Sequence, residues 1–182
     1  MDSYLEIFKK DRFVRVSPLY NIITIFDSVK YDRSDQELLS ASQRNHIGNV
    51  LEENGHKRLT GNSYQNITTK QVMRFTTPKT LGVSPLNELQ YNFNQEDIFI
   101  VTPGTYFLFL VMKFNELHKE NILQEIMQLI STHPVNLDQL LSVSRHDVFY
   151  PFLKQKFPEF VKHQQDSIKY DLKGKSSLDS NV

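Results

Sequence analysis

The chain contains no cysteine. Disulfide staples, thiolate nucleophiles and cysteine-ligated zinc or iron–sulfur centres are thereby excluded. Glycine is sparse and scattered, at Gly48, Gly55, Gly61, Gly82, Gly104 and Gly174. Phosphate-cradling loops need clustered glycines so that the backbone can approach the anion, and neither GxGxxG nor GxxxxGK[ST] occurs. No GxSxG elbow frames a serine. Long apolar runs are missing too. The most apolar window, "IFIVTPGTYFLFLVM" (Ile98–Met112), spans 15 residues and is broken by Pro103 and Gly104. A spanning helix needs roughly 18–20. The opening "MDSYLEIFKK" carries acids and no apolar centre, so it does not read as a signal peptide. The expectation is an intracellular protein, cytoplasmic or nuclear. Asn66-Ile67-Thr68 matches a glycosylation sequon with no export signal to give it meaning.

One absence is local. Residues 54–87 contain no Asp or Glu, yet they hold Lys57, Arg58, Lys70, Arg74 and Lys79. The whole chain is neutral, with 21 basic and 21 acidic residues. Attraction to an anionic partner would therefore come from a patch and not from the molecule's overall field.

What is present is ordinary globular material: 182 residues, 39% hydrophobic and 23% charged. The reading is a single α+β domain over residues 1–171, with a disordered tail over 172–182. Its α+β half covers about 1–101 and its helical half about 102–171. A small N-terminal sheet with a long amphipathic helix precedes the helical half. Ser3 and Glu6 have capping-box spacing and open a short first helix. "RFVRV" (Arg12–Val16) alternates like a strand, and "LYNIITIFDSV" (Leu19–Val29) is a more buried one. Ser34 and Glu37 open the long helix, with Gly55 as its stop and Leu38, Leu39, Ile47, Val50 and Leu51 as its buried stripe. Gly55–Asn66 reads as a polar loop. Ile67–Thr77 reads as a strand with Val72 and Phe75 inward, because its threonines disfavour a short helix. "GVSPLNELQYNFN" is a loop and "DIFIV" (Asp97–Val101) a buried strand.

Thr102-Pro103 resembles an N-cap with proline at the first helical position, and Phe107, Leu110, Val111, Phe114 and Leu117 recur at helical spacing. A hairpin turning at Pro103-Gly104 is the rival. Further helices open at Asn121, Asn136 and Ser144, with a kink at Pro151. A last helix opens at Pro158 and ends near Asp171.

No chemistry-bearing constellation emerges. His46, His56, His118, His133, His146 and His163 include no pair at metal-ligand spacing. His146 and Asp147 are adjacent, and neighbours on a helix point apart. Glu52-Glu53 and Glu96-Asp97 sit at element boundaries. The expectation is no catalytic, cofactor-binding or metal-binding residue. Two surfaces remain. The acid-free cations, with Tyr64 and Phe75 interleaved, suit phosphates and a stacked base. The aromatic run Phe149, Tyr150, Phe152, Phe157 and Phe160 covers more than one helix face. It is core by default, and a protein-binding patch where exposed.

"LDQLLSVSRHDVFYPFLK" (Leu137–Lys154) resembles the second and third helices of helix-turn-helix DNA-binding units. Leu137, Leu141, Ser142-Val143-Ser144 and Val148 fall at the matching places. The resemblance implies DNA contacts from Arg145, Lys154 and Gln155. It departs at Asp138, Ser142 and Pro151. The C-terminus Ser180, Asn181, Val182 matches the loose pattern of a PDZ ligand. Two functions follow as expectations. One is a non-enzymatic adaptor, regulatory or assembly subunit acting through its helical half, by partner binding or self-association. The other is a nucleic-acid-binding regulator using the cations.

Overall fold

The computed structural model describes residues 7–8, 11–26, 38–60, 63–77, 81, 83 and 97–176, with side chains as far as Ile168. The opening capping box Ser3–Glu6, Ser34–Glu37, Lys79, most of the 82–94 loop and the C-terminal Ser180–Val182 lie outside the described residues.

The architecture is α+β. Six strands form one mixed sheet: β1 (Val14–Val16), β2 (Ile22–Ile25), β3 (His56–Arg58), β4 (Ser63–Asn66), β5 (Val72–Phe75) and β6 (Ile98–Val101). Their spatial order is β1-β2-β6-β5-β4-β3. The central strands β2, β6 and β5 run parallel, and the flanking pairs are antiparallel hairpins. Strands β2 and β6 are buried at every position, as expected of strands covered on both faces.

A helix lies between β2 and β3. Helix α1 (Ala41–Glu53) starts at Ser40, whose hydroxyl accepts the Gln43 N–H while the Gln43 side chain accepts the Ser40 N–H. The helix opens at this S-x-x-Q box and not at Ser34, because residues 38–40 are not helical, so Leu38 and Leu39 are not part of its stripe. Ile47 and Leu51 point into the sheet, while Leu38 is exposed. Gly48 admits the Tyr64 ring; a Cβ there would stand 2.5 Å from the Tyr64 hydroxyl. Gly55 follows the helix with φ 77°, which suits glycine. The face of the sheet toward α1 presents Ile23, Ile25, Met73, Ile98 and Ile100.

The other face carries the helical half. Helix α2 (Pro103–Leu117) is capped by Thr102 with proline in its first turn, as the sequence predicts, and the rival hairpin does not form. Every residue from Pro103 to Val111 is buried, so α2 is a central helix, apolar all round. Helix α3 (Glu120–Thr132) buries Ile122, Ile126, Leu129 and Ile130. Helix α4 (Leu137–Val143) is capped by Asn136. A 3-10 turn, Ser144–His146, leads to α5 (Tyr150–Ser176). Ring contacts Phe107–Phe160 and Phe114–Phe152 run in opposite senses along the two chains, so α5 lies antiparallel to α2. Among the described residues no helix is long and apolar enough to cross a membrane.

Several expectations are corrected. Gly55–Asn66 is not a plain loop: β3 and β4 pair as a hairpin, because His56 and Tyr64 both bury against α1. The 67–77 strand is only Val72–Phe75, since Asn66 Oδ1 caps the Thr68 and Thr69 amides into a turn. Met73, not Val72, is its core residue. Ser144 opens only the three-residue 3-10 turn and no α-helix; its hydroxyl donates back to the Leu140 carbonyl at 2.8 Å. Pro158 sits inside α5 and opens nothing. Helix α5 also continues to Ser176, past the expected end at Asp171 and into the segment read as a disordered tail.

Candidate functional site

The helical half is bolted to the sheet by a polar network. In β1, Arg15 points opposite to Val14 and Val16, and it meets Glu125 of α3, the one buried acid of that helix. Arg15 Nη2 lies 2.9 Å from each Glu125 oxygen, and Nε adds a contact of 3.2 Å. Tyr106 Oη stands 3.1 Å from Glu125 Oε1 and 2.6 Å from Ser17 Oγ. The phenolic proton serves the carboxylate, and the Ser17 hydroxyl serves the phenol oxygen. Ser17 in turn accepts the Leu19 and Tyr20 amides. Burial, then the Glu125 charge, pushes the Tyr106 phenol well above its ordinary range. Arg15 and Glu125 are each other's partner, so the network locks the sheet and helical layers together.

His133 ends α3 and stacks on Phe26, with ring centroids 3.3 Å apart and planes 11° from parallel. Its Nδ1 is buried and has no hydrogen-bond partner among the described residues. Burial, then the Arg15 cation, lowers its pKa to about 4, so the ring is neutral at pH 7. Asp147 shifts the other way. Burial raises its pKa to about 6, against the smaller pull of His146.

The sheet divides the cations read from the sequence. The sheet register puts Lys57 and Arg74 on one face and Arg58 on the other. Arg74 is ion-paired with Asp97 at 2.9 Å. Lys70 is not a strand residue: it takes φ 65° in the turn, and its ammonium donates to the Ile67 carbonyl at 2.7 Å. Arg145 and Lys154 are exposed on the helical half, which packs on the Arg74 face of the sheet. Tyr64 is buried and packs edge-on against half-buried Phe75, so neither ring is offered to a base.

The helix-turn-helix resemblance is not carried into geometry. Such units join their helices by three or four residues. Here α4 ends at Val143 and α5 begins only at Tyr150. Val148, which should be buried, is 91% exposed.

The aromatic run divides. Phe149 and Phe160 are core residues and present no surface to a partner. Phe152 and Phe157 are half-buried against the same core, and Tyr150 is half-buried. Around them lie exposed apolar side chains the sequence did not single out as surface: Leu117, Val143 and Val148. Leu117 follows Phe114 by one turn of α2, and Phe114 touches Phe152 at 5.1 Å. Arg145 and Lys154 bracket Val148 and Phe152 in sequence. Sequence reasoning also missed the Arg15–Glu125 pair, whose only signal is one cation in an apolar strand and one acid on an apolar helix stripe. His46, paired with Asp11 at 2.6 Å, gave no signal at all.

Among the described residues no group of three or more His, Asp or Glu is placed to hold a metal ion. Set against family models, curated proteins and solved structures, the chain gives no match.

Proposed function

We propose that the protein is a non-enzymatic interaction protein, an adaptor, regulatory or assembly subunit that works through the outer surface of its helical half. The observation that carries this reading is Val148. It is 91% exposed, while the next residue, Phe149, anchors the same turn in the core. An apolar side chain aimed at solvent costs water contact and gains nothing within the fold. In the same segment Val143 is exposed, Phe152 is half-buried and Arg145 and Lys154 are exposed charges; apolar side chains with charges around them are the usual composition of a protein–protein contact.

The test is affinity capture and light-scattering mass with wild type and Val148→Asp. Wild type should self-associate or retain a partner; Val148→Asp should lose it with an unchanged thermal midpoint. A wild type that stays monomeric and retains nothing overturns the reading.

A nucleic-acid role is the second reading. It rests on Lys57 and Arg58, which are exposed on the edge strand β3 and have no carboxylate partner among the described residues. Arg74 and Lys70 are already engaged, so few phosphates would be neutralised. Binding, if measured, should show a shallow salt dependence.

A further inference from the structure

Strand β3 (His56–Arg58) ends the sheet, and among the described residues no strand pairs with its outer side. The ladder fixes which groups that side presents. The Leu59 amide donates to the Ser63 carbonyl at 2.9 Å, and the Ile67 amide donates to the Gly55 carbonyl at 3.0 Å. Hydrogen-bonded pairs alternate along an antiparallel ladder, so Lys57 bonds inward to Gln65. His56 and Arg58 therefore turn their N–H and C=O groups outward. The edge is also held in shape. The His56 ring is buried, with Nδ1 3.2 Å from the Leu51 carbonyl and 3.2 Å from the Asn54 carbonyl. An extended chain that adds to a sheet gains most from main-chain groups already in place.

The side chains select among extended chains. Lys57 and Arg58 are exposed and have no carboxylate partner among the described residues. Successive strand residues point to opposite faces, so the two cations flank the edge, one on each face. A ligand lying on either face of the sheet reaches one of them. A strand bonded along the edge reaches both, because its own consecutive side chains alternate in the same way. A second copy of β3 is a poor occupant, since it would set cation against cation across the new pair. A short edge strand carrying Lys is also a common guard against stray pairing. The charges that repel such strands attract one carrying acids.

We propose that β3 is a docking edge for an extended acidic segment of a partner protein, with two consecutive Asp or Glu residues opposite Lys57 and Arg58. The main chain of His56 and Arg58 supplies the hydrogen bonds, and the two cations supply the selection. This edge is separate from the Val148 surface, and neither reading depends on the other. It gives Lys57 and Arg58 an acidic polypeptide in place of phosphates.

The probes are two short, end-capped peptides of valine and threonine with equal charge. One carries two consecutive glutamates. The other carries them on alternate residues, and so on a single face. Each is titrated into the full chain, with backbone amides followed by NMR and hydrogen exchange. In the free chain the His56 and Arg58 amides should exchange faster than those of Lys57 and Leu59. The consecutive-acid peptide should slow the first two and bind about 1.5- to 5-fold tighter than its isomer, the difference of one exposed ion pair. Lys57→Ala and Arg58→Ala, both at the surface, should each erase that preference. The comparison of the two peptides on the wild-type chain decides the matter without either variant. Protected His56 and Arg58 amides in the free chain, equal affinities for the two peptides, or no saturable binding would each overturn the proposal. So would tighter binding of a thymidine oligonucleotide at Lys57 and Arg58.

Discussion

Arg15 and Glu125 stand 110 positions apart in the chain and grip each other through both carboxylate oxygens at 2.9 Å. Glu125 is only 3% exposed and Arg15 15%. Removing one partner strands a buried charge. Arg15→Leu should therefore cost about 3–5 kcal/mol of stability by denaturant unfolding. Replacing both, with Arg15→Leu and Glu125→Leu together, should restore most of it. A double variant as unstable as the sum of the singles would show that the pair is not coupled.

Two groups give stability opposite pH slopes. The His133 folded pKa, about 4, lies below its ordinary 6.5. The unfolded state then binds more protons between those values, and stability falls as pH drops from about 6.5 to 4. The Asp147 folded pKa, about 6, lies above its ordinary 3.8. There the folded state binds more protons, and stability falls as pH rises from about 3.8 to 6. Asp147→Asn should steepen the loss of stability toward acid relative to wild type, and His133→Phe should flatten or reverse it. Parallel pH profiles for all three proteins would refute the assignment.

Neighbouring residues of the aromatic run should respond unequally. Phe160 is fully buried against Phe107, so Phe160→Ala should cost about 3–5 kcal/mol. Val148→Asp should change stability by no more than about 0.5 kcal/mol, because the side chain touches mostly water. Thermal and urea melts separate the two cases.

Pro158 lies in the interior of α5, where it can make no backbone hydrogen bond to the previous turn. Pro158→Ala should stabilise the protein, by up to about 3 kcal/mol if the helix straightens without cost. A destabilised variant would mean that the proline bends α5 onto α3 as the packing requires.

Much of the fold could be read in the sequence where local signals agreed. Thr102-Pro103 and Asn136 mark helix starts because their caps are local chemistry, and Ile98–Val101 reads as a strand because burial on both faces leaves no polar position. The reading failed where distant residues decide. Pro158 looks like a helix start by the same local rule, but packing of Phe152, Phe157 and Phe160 on the core carries the helix through it. The hairpin of β3 and β4 is polar and charged, and only the α1 surface, through Gly48 and Tyr64, makes strands of it. The candidate sites suffered most. Charge spacing showed Arg74 and Lys70 as free cations, and their partners, Asp97 and the Ile67 carbonyl, become visible only in three dimensions. Nothing in the sequence joins Asp11 to His46.

Helix α2 is enclosed by the sheet on one side and by α3 and α5 on the other. A chain cut after β6 would give neither fragment a home for it. The N-terminal piece would show a bare hydrophobic sheet face, and the C-terminal piece a naked apolar rod. Each alone should precipitate, and the two co-expressed should reassemble.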